Sequence, residues 1–386
     1  MSQDIRDFDT ATVELLGFGE PTHQEPAFGQ IRNELLVQLA DLGVRSIALE
    51  TDRVAALAVD DYVQDGAGTL DAALSEGFSH SFGELAPNRD LVAWLREYNQ
   101  DRAPADRIAF HGFDLPTETM NAPSPLGYLE HARDYLGLDL DLASLAGPDE
   151  QWSRTEAVLD PASSPGATPT ADRLHALGDD LHTALYSRAP ELIATTSQAR
   201  WHRARTQLSA GLALLSYHRQ CAKPMAQNAR VSALLENRDA HMARNLLHIR
   251  EIEATRGPTL VFSSNAHLQR NRASWRLGEM DLSWVTAGAI VSSLLGERYT
   301  VIVGSLGRSA ALGLGEPEPE SYEGQLQRQF ADWGLTKATT VDPARCRAET
   351  NPRQGYFPLD QPTLDGADLV LHINAGDPTT PRATRS

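Results

Sequence analysis

Short apolar runs bounded by turn-forming residues recur along the chain, and each run has the length of a buried β-strand. The runs that predict strands are residues 13–18, 46–50, 108–112, 259–263, 299–304 and 369–373. Between the first two runs, apolar residues from Phe28 to Leu39 recur at helical spacing, and Gly43 then supplies a C-terminal cap. A strand, an amphipathic helix and a second strand in succession are the usual unit of a doubly wound sheet. The pattern predicts an α/β fold with a central, mostly parallel sheet flanked by helices.

The middle of the chain has a different pattern, in which strand-like runs are missing and Ala, Leu, Arg and Gln are abundant. This pattern predicts long helices over residues 191–220 and 227–254. The stretch "DPASSPGATPT" predicts a mobile surface loop, and "GLGEPEPESYEGQL" predicts an exposed connection before a final helix. We therefore expect residues 1–123 to form the first part of an α/β core, residues 124–255 a helical insertion that caps the cleft, and residues 256–386 the second part of the core.

Composition and charge narrow the classes of function. The 386 residues are 41% hydrophobic, which is enough for a globular protein with a sizeable core. The formal net charge of -18 repels phosphate backbones and anionic membranes, so we expect no nucleic-acid partner. Cys221 and Cys346 lie far apart without a C-x-x-C motif, which disfavours a thiol–metal site or a disulfide scaffold and favours a reducing cytoplasm. The polar, acidic N-terminus and the lack of a long apolar stretch predict neither a signal peptide nor a membrane span.

Acidic, amide and imidazole side chains stand at the predicted carboxyl ends of four strands, which is where open α/β sheets bind ligands. They are Glu20 and His23 after the first strand, Glu50 after the second, His111 and Asp114 after the third, and Asn265 and His267 after the fourth. Because parallel strands end at one edge of a sheet, we expect two neighbouring strands to direct Glu20 and Glu50 to the same place. The pattern predicts an acid–base site at this edge.

Each of these residues also has an ordinary structural interpretation. Glu20 can stabilise a helix N-terminus, and His23 can cap that helix or face solvent. Asp114 before Leu-Pro fits a turn, and His111 fits a hydrogen-bonded position in the core. A metal site built from the histidines and glutamates lacks H-x-x-x-H or H-E-x-x-H spacing, so a metal-free site is favoured. The chain also has no G-x-S-x-G motif, no phosphate-binding loop and no complete dinucleotide fingerprint.

Five blocks of the sequence resemble the erythromycin esterase family in their order and spacing over most of the chain. The blocks are "GFGEPTHQEPAFGQIRNELL", "GVRSIALETDR", "GEL" with "LVAWLREYN", "FHGFD" and "LVFSSNAHLQR". The resemblance implies metal-independent hydrolysis of a macrolactone ester, with no cofactor. It implies that His23 is the general base, Glu20 its neighbour in the pocket, Arg32 a cation that stabilises an oxyanion, and Glu50 a further acid–base or water-positioning carboxylate, with His267 completing the catalytic set.

The same blocks imply residues that bind a small-molecule substrate, such as a polyketide or another secondary metabolite. These residues are Gln24, Arg53, Glu84, His111, Asp114, Ser264 and Asn265. Two positions depart from the family pattern. The His-Asn-x-His block of the family is Ser264-Asn265-Ala266-His267 here, which replaces an imidazole with a hydroxyl, and the glycine that commonly follows the first histidine is Gln24.

These departures leave three functions open. The first is an esterase or lactonase in which His23 activates water. The second is a non-hydrolytic tailoring enzyme of secondary metabolism that catalyses cyclisation, elimination, epoxide opening or acyl transfer. The third is an inactive protein that binds a hydrophobic metabolite, although such a binder has little need for so many buried ionisable groups.

Overall fold

A central β-sheet organises the molecule. The computed structural model describes residues 2–8, 12–118, 120–348 and 355–376. The strands are β1 (Leu15–Glu20), β2 (Ser46–Asp52), β3 (Ala109–Asp114), β4 (Thr259–Ser264), β5 (Ala273–Leu277), β6 (Met280–Trp284), β7 (Tyr299–Ser309), β8 (Trp333–Lys337) and β9 (Leu369–Gly376). Within the described residues, seven strands form one sheet in the order β3-β2-β4-β1-β7-β9-β8, and β5 pairs with β6 in a separate hairpin.

Helices cover the sheet and fill the middle of the chain. The first group is α1 (Pro26–Asp41), α2 (Ala56–Asp65), α3 (Leu70–Gly77) and α4 (Ala86–Gln100). The middle group is α5 (Leu126–Leu136), α6 (Leu142–Ala146), α7 (Glu150–Ser153), α8 (Thr155–Leu159), α9 (Pro169–Ser187), α10 (Ala189–Thr195), α11 (Gln198–Cys221) and α12 (Gln227–Glu253). The last group is α13 (Asn265–Leu268), α14 (Ala287–Leu295), α15 (Tyr322–Gln327) and α16 (Gln361–Asp365). None of the helices in the described ranges combines the length and the apolar character needed to cross a bilayer.

The pairing in the sheet is parallel except at one edge, where β8 runs antiparallel to β9. The prediction of a mostly parallel sheet flanked by helices is therefore confirmed. The expectation that the strands of Glu20 and Glu50 are neighbours is wrong, because β4 lies between β1 and β2 and pairs with both. The strand that separates them comes from more than 200 residues further along the chain, so the order of strands in the sequence does not reveal it.

The central strand β1 is buried along its whole length, as expected of a parallel strand covered on both faces. Leu16 and Phe18 pack in the core on the side of α1, whereas Leu15 packs in the core on the side of α12. The glycines of this strand allow close approach of its neighbours. A Cβ atom at Gly19 would lie only 2.3 Å from Oδ1 of Asn265, so a larger residue would displace the side chain that follows β4.

The predicted helix after β1 is present as α1. Pro26 occupies its first turn, the Glu25 side chain accepts a hydrogen bond from the backbone N–H of Ala27, and Gly43 adopts a φ of +92° shortly after the helix ends. Proline has no N–H to leave unpaired in the first turn, and glycine tolerates the left-handed region, so the local sequence sets both ends of the helix. This helix begins three residues after His23 and fixes the path of the chain there.

The helical segment between β3 and β4 differs in two details from the one predicted from the sequence. The predicted helix over residues 191–220 is interrupted, because α10 ends at Thr195 and Ser197 caps the start of α11. The predicted surface loop "DPASSPGATPT" is buried near its centre, where Ser164 donates a hydrogen bond to the backbone carbonyl of His218 at 3.2 Å. Gly166 makes this contact possible, since a Cβ atom there would lie 2.0 Å from that carbonyl. The division of the chain at residues 123 and 255 stays a prediction.

Two elements of the second half were missed in the sequence. The hairpin of β5 and β6 alternates exposed and buried positions and turns at Gly278, whose φ is +61°. The edge strand β8 is only five residues long and lacks a continuous apolar run. The short helix α15 follows the "GLGEPEPES" stretch, as predicted, but β8, α16 and β9 come after it, so it is not the last helix.

Candidate active site

The carboxyl ends of β1, β2, β3 and β4 meet at one edge of the sheet and bring their polar side chains into a single network. Glu20 pairs in register with Ser264 across β1 and β4, and Glu50 contacts the side chain of Ser263 on β4. Asp114, at the end of β3, is linked to Glu50 through Arg238 of α12. The strand ends predicted from the sequence to carry chemistry therefore do come together.

His23 lies between two buried carboxylates. Its Nδ1 is 2.7 Å from Oε1 of Glu20, and its Nε2 is 3.7 Å from Oε2 of Glu50. About a third of the His23 side chain (35%) is exposed, whereas Glu20 and Glu50 are buried, so a molecule from solvent reaches the imidazole before it reaches either acid. Burial by itself lowers the pKa of His23, but the negative charges of Glu50 and Glu20 outweigh it and raise that pKa to about 9.

Glu50 is the centre of the network. Its Oε1 accepts a hydrogen bond from Arg238 at 2.9 Å and its Oε2 accepts one from the Ser263 hydroxyl at 2.5 Å, while Nε2 of His267 lies 3.5 Å from Oε1. Burial opposes ionisation of this carboxyl group, but His267, His23 and Arg238 hold its pKa well below the usual range. Glu50 is therefore an anion at neutral pH. At Glu20 burial outweighs the nearby His23 and Arg32, and the pKa of this carboxyl group is raised.

Arg238 and Asp239 were missed by sequence reasoning, although both take part in the network. Arg238 donates from Nε to Oδ1 of Asp114 at 2.9 Å, in addition to its bond with Glu50. The next residue, Asp239, lies 2.9 Å from Nδ1 of His267 and also accepts the backbone N–H of Ala287 at 2.7 Å. Both residues lie in the "ENRDAH" stretch of α12. Such a cluster of charges inside a helix was the available signal, but solvent-facing helices carry the same pattern.

The turn before α4 adds His80 to the site. Its Nε2 lies 3.1 Å from Asp114 and its Nδ1 lies 2.8 Å from Glu118. Both His80 and Ser81 have positive φ values, of +56° and +57°. Backbone in this region is costly for residues other than glycine, and strain of this kind is concentrated at functional sites. The contacts with Asp114 and Glu118 hold the strained turn in place.

Arg32 projects from α1 and is almost fully buried (1% exposed). It donates hydrogen bonds to the side-chain oxygens of Asn88 (2.8 Å) and Asn33 (3.0 Å), and its guanidinium lies 4.8 Å from the centre of the Phe262 ring. Among the described residues, no carboxylate lies within 4.0 Å of it. Burial lowers the pKa of Arg32 to about 10, so the side chain keeps its charge at neutral pH.

A pocket joins these groups. Glu20, His23, Arg32 and Glu50 contribute its polar wall. Phe78, Phe82, Leu85 and Phe262 are the main apolar residues that line it. The pocket therefore offers an imidazole and a buried cation to a ligand whose remaining surface is apolar. Within the described ranges, no group of three or more His, Cys, Asp or Glu side chains is arranged to hold a metal ion.

Several residues predicted to bind substrate lie outside this pocket. His111 pairs with Glu253 at 2.8 Å, on the face of β3 that packs against α12. Arg53 lines a second cavity, and Glu84 is exposed in an open groove beside His80. Gln24 is exposed next to His23 and makes its hydrogen bond to Thr22 through the backbone.

Ser264 and Asn265, the two remaining candidates for substrate binding, make hydrogen bonds within the fold. The Ser264 hydroxyl accepts a hydrogen bond from the backbone N–H of Ala266 at 3.2 Å and so caps α13. The amide of Asn265 bonds both the N–H and the carbonyl of Gly304 on β7, each at 2.9 Å. Their role in substrate binding stays a prediction. His267 does lie in the network, next to Glu50.

Comparison with known proteins decides the family. The sequence model described as erythromycin esterase matches residues 39–384. The chain belongs to the erythromycin esterase family. Membership supports an esterase-like hydrolase, in agreement with the resemblance found in the sequence blocks. The matched stretch begins after Glu20, His23 and Arg32, so the family match does not include these three residues. The support for their roles comes from their positions in the structure.

Solved structures of low sequence identity have the same fold as this erythromycin esterase family member. A mutant of the erythromycin esterase EreC in its open conformation is 17% identical, with a TM-score of 0.67 over 95% of this chain and 92% of that one. A Bacillus cereus protein is 15% identical, with a TM-score of 0.69 over 95% and 89% of the two chains. A succinoglycan biosynthesis protein is 14% identical, with a TM-score of 0.64 over 95% and 88%. No curated protein matches the sequence at a significant level.

Asn265 provides a first prediction, on stability. Replacing it with alanine leaves the N–H and the carbonyl of Gly304 without partners at a buried position, and each unpaired group costs about 1–3 kcal/mol. We expect Asn265→Ala to lower the free energy of unfolding by about 2–4 kcal/mol, measured by urea denaturation. Asn228→Ala, at an exposed position of α12, is the control and should change it by no more than about 0.5 kcal/mol. Equal effects of the two substitutions would contradict the prediction.

Proposed function

We propose that this erythromycin esterase family member hydrolyses an ester or lactone bond of a bulky, macrolide-like natural product. The observation that carries the proposal is the placement of His23 between Glu20 and Glu50, in a pocket that also contains the buried cation Arg32. Imidazole is the side chain most often used to move a proton in catalysis, and a fixed cation is well suited to stabilise a developing negative charge. The four groups together provide what ester hydrolysis by water requires.

His23 is the proposed general base. Its neutral form takes a proton from a water molecule while the water oxygen attacks the ester carbonyl carbon. The bond between that carbon and the alkoxy oxygen then breaks, and the imidazolium returns the proton to the alkoxide. Glu20 orients the ring through Nδ1, which leaves Nε2 to face the water. Because the pKa of His23 is raised to about 9, the base form is the minor one at pH 7 and increases as the pH rises.

Arg32 is the proposed oxyanion partner. The carbonyl oxygen gains negative charge when water attacks, and a nearby positive charge stabilises that transition state more than it stabilises the neutral ester. The hydrogen bonds of Arg32 go to neutral oxygen atoms of Asn33, Asn88 and Pro87, so its charge is not already neutralised by a direct ion pair. Its low exposure keeps water from screening it.

Glu50 is the proposed positioning carboxylate. Arg238 donates a hydrogen bond to its Oε1 and Ser263 donates one to its Oε2, and the carboxylate stays ionised. It is therefore suited to orient the attacking water and to stabilise the imidazolium of His23. His267 approaches Glu50 from the other side and is in turn held by Asp239. These steps use side chains of this chain and require no metal or other cofactor.

The direct test is turnover in labelled water. The protein is incubated with a panel of macrolactones and linear esters in H₂¹⁸O, and the products are analysed by mass spectrometry. Hydrolysis places one ¹⁸O atom in the acid product, which is the expected result. A product that forms without ¹⁸O would instead identify a non-hydrolytic tailoring reaction, and binding without any product would identify a binding protein. Either outcome would overturn the proposal.

A further inference from the structure

A second cavity lies between the helical segment and the sheet edge, apart from the pocket of His23. Its walls come from the residue after β2, the end of β3, and helices α9, α11 and α12. The basic residues that line it are Arg53, Arg205, Arg244, His182, His241 and His248. We call this space the cationic cavity. It is unusual in a protein whose formal net charge is -18.

The positive charges of the cationic cavity are poorly compensated. Arg205 pairs with Glu251 at 2.9 Å, but among the described residues neither Arg53 nor Arg244 has a carboxylate within 4.0 Å. The one acid that lines the cavity is Asp114, and its oxygens are already engaged by Arg238 and His80. Glu253 and Asp60 act on Arg53 from a distance, but its buried guanidinium forms no ion pair within the described ranges, which is costly and favours a negatively charged occupant.

Two buried nitrogen atoms of the cavity residues also lack partners. Arg53 is 5% exposed and donates one hydrogen bond, from Nη1 to the carbonyl of Gly112 at 3.1 Å, while its Nε bonds to no atom of the described residues. The Nε2 atom of His248, which is 6% exposed, is equally without a partner. Most buried polar groups in folded proteins are hydrogen-bonded, so two exceptions in one cavity point to a ligand.

Burial and the nearby arginines both keep the histidines of the cavity neutral. Burial lowers the pKa of His248 far below the usual range, and the nearby charges of Arg53 and Arg205 lower it further. Burial and the charge of Arg244 lower the pKa of His241 to about 4. Both imidazoles are therefore neutral at pH 7 in the cavity as it stands, and each has an N–H to donate.

We propose that the cationic cavity binds a small oxyanion of the phosphate or carboxylate class. Arginine guanidinium groups present parallel N–H donors that match the oxygens of such anions, and Arg53 lies on the inner wall while Arg244 is exposed at the mouth. The small side chains of Ser209, Ala210 and Ala213 leave room for the anion between the two arginines. The oxyanion is either a free ion or a group carried by a larger ligand. This site does not depend on the proposed hydrolysis.

The test measures binding directly, without turnover. Inorganic phosphate is titrated into the full chain by isothermal calorimetry at constant ionic strength, with chloride as the balancing anion. We expect saturable binding that weakens about 10-fold or more in Arg244→Gln, since a charge-assisted contact is lost. Arg219→Gln removes an exposed arginine of α11 that does not line the cavity and that pairs with Asp172, so it serves as the matched control with unchanged affinity.

A second variant and a second ligand complete the test. Arg53→Gln should abolish binding, and circular dichroism shows whether this variant remains folded. If it unfolds, the Arg244→Gln variant still tests the proposal, because Arg244 is exposed. Phenyl phosphate binding tighter than phosphate identifies a group carried by a larger ligand, and the reverse identifies a free ion. Absence of binding, or equal affinity in the wild type and Arg244→Gln, overturns the proposal. Because no substrate is used, failure of the hydrolysis test leaves this result unaffected.

Discussion

Replacing His23 with alanine is expected to lower kcat/KM for ester hydrolysis by about 10²–10⁴-fold, the contribution typical of a general base. The substitution removes the imidazole that lies 2.7 Å from Glu20 and 3.7 Å from Glu50. It should not unfold the protein. Glu50 retains Arg238 and Ser263, and Glu20 has a raised pKa, so it can take up a proton when its partner is lost. The measurement is steady-state kinetics beside a urea unfolding curve.

Two controls separate loss of the base from a general disturbance. His131→Ala removes an exposed imidazole from α5 and should retain full activity. Free imidazole added to His23→Ala should restore part of the lost rate, because a small molecule can occupy the space and act as the base. A folded His23→Ala protein with wild-type kcat/KM would place the base elsewhere in the network.

The position of the site could be predicted from the sequence because parallel strands end at one edge. Glu20, Glu50 and Asp114 lie at or near the ends of recognisable strands, and His267 follows a fourth, so their placement at the same end of the sheet follows from the fold class. The order of the strands could not be predicted in the same way. Nothing in the apolar run of β4 shows that it inserts between β1 and β2.

Arg238 shows why the rest of the site escaped sequence reasoning. It lies on α12, and its contact with Glu50 joins residues 188 positions apart. A charged residue on a long helix has the same appearance whether it faces solvent or a buried carboxylate, because the choice depends on how the helix packs. The same limit applies to Gly166 in "DPASSPGATPT", whose burial depends on contact with the distant helix α11.

The network also explains how so many charges are tolerated in one place. Glu50 and Asp114 share the guanidinium of Arg238, and His267 shares its charge between Asp239 and Glu50. Each anion therefore faces at least one cation or N–H donor, which offsets the cost of burial. The His23 side chain is 35% exposed, against 19% for Arg238 and 18% for His80, so a substrate perturbs His23 with the least change to the others.

Replacing Glu20 with glutamine is expected to shift the pH dependence of the reaction to lower pH. The carboxylate favours the imidazolium form of His23, so its removal lowers the pKa of His23 from about 9 towards the ordinary value of 6.5. Glutamine keeps an oxygen that can accept from Nδ1, so the ring orientation is retained. The ascending limb of kcat/KM against pH should therefore move down by about one unit or more, equivalent to about a tenfold larger fraction of the base form at pH 7.

The direction of this shift distinguishes the base from a general acid. If His23 acts as the base, activity rises with pH through the pKa of His23. The Glu20→Gln variant then gains relative activity at low pH. Its maximal activity at high pH falls, because a less basic imidazole takes a proton less readily. Glu76→Gln removes an exposed carboxylate from α3 and should leave the limb in place. An unchanged limb in Glu20→Gln, or a limb that descends as the pH rises, would show that a different group sets the protonation state required for catalysis.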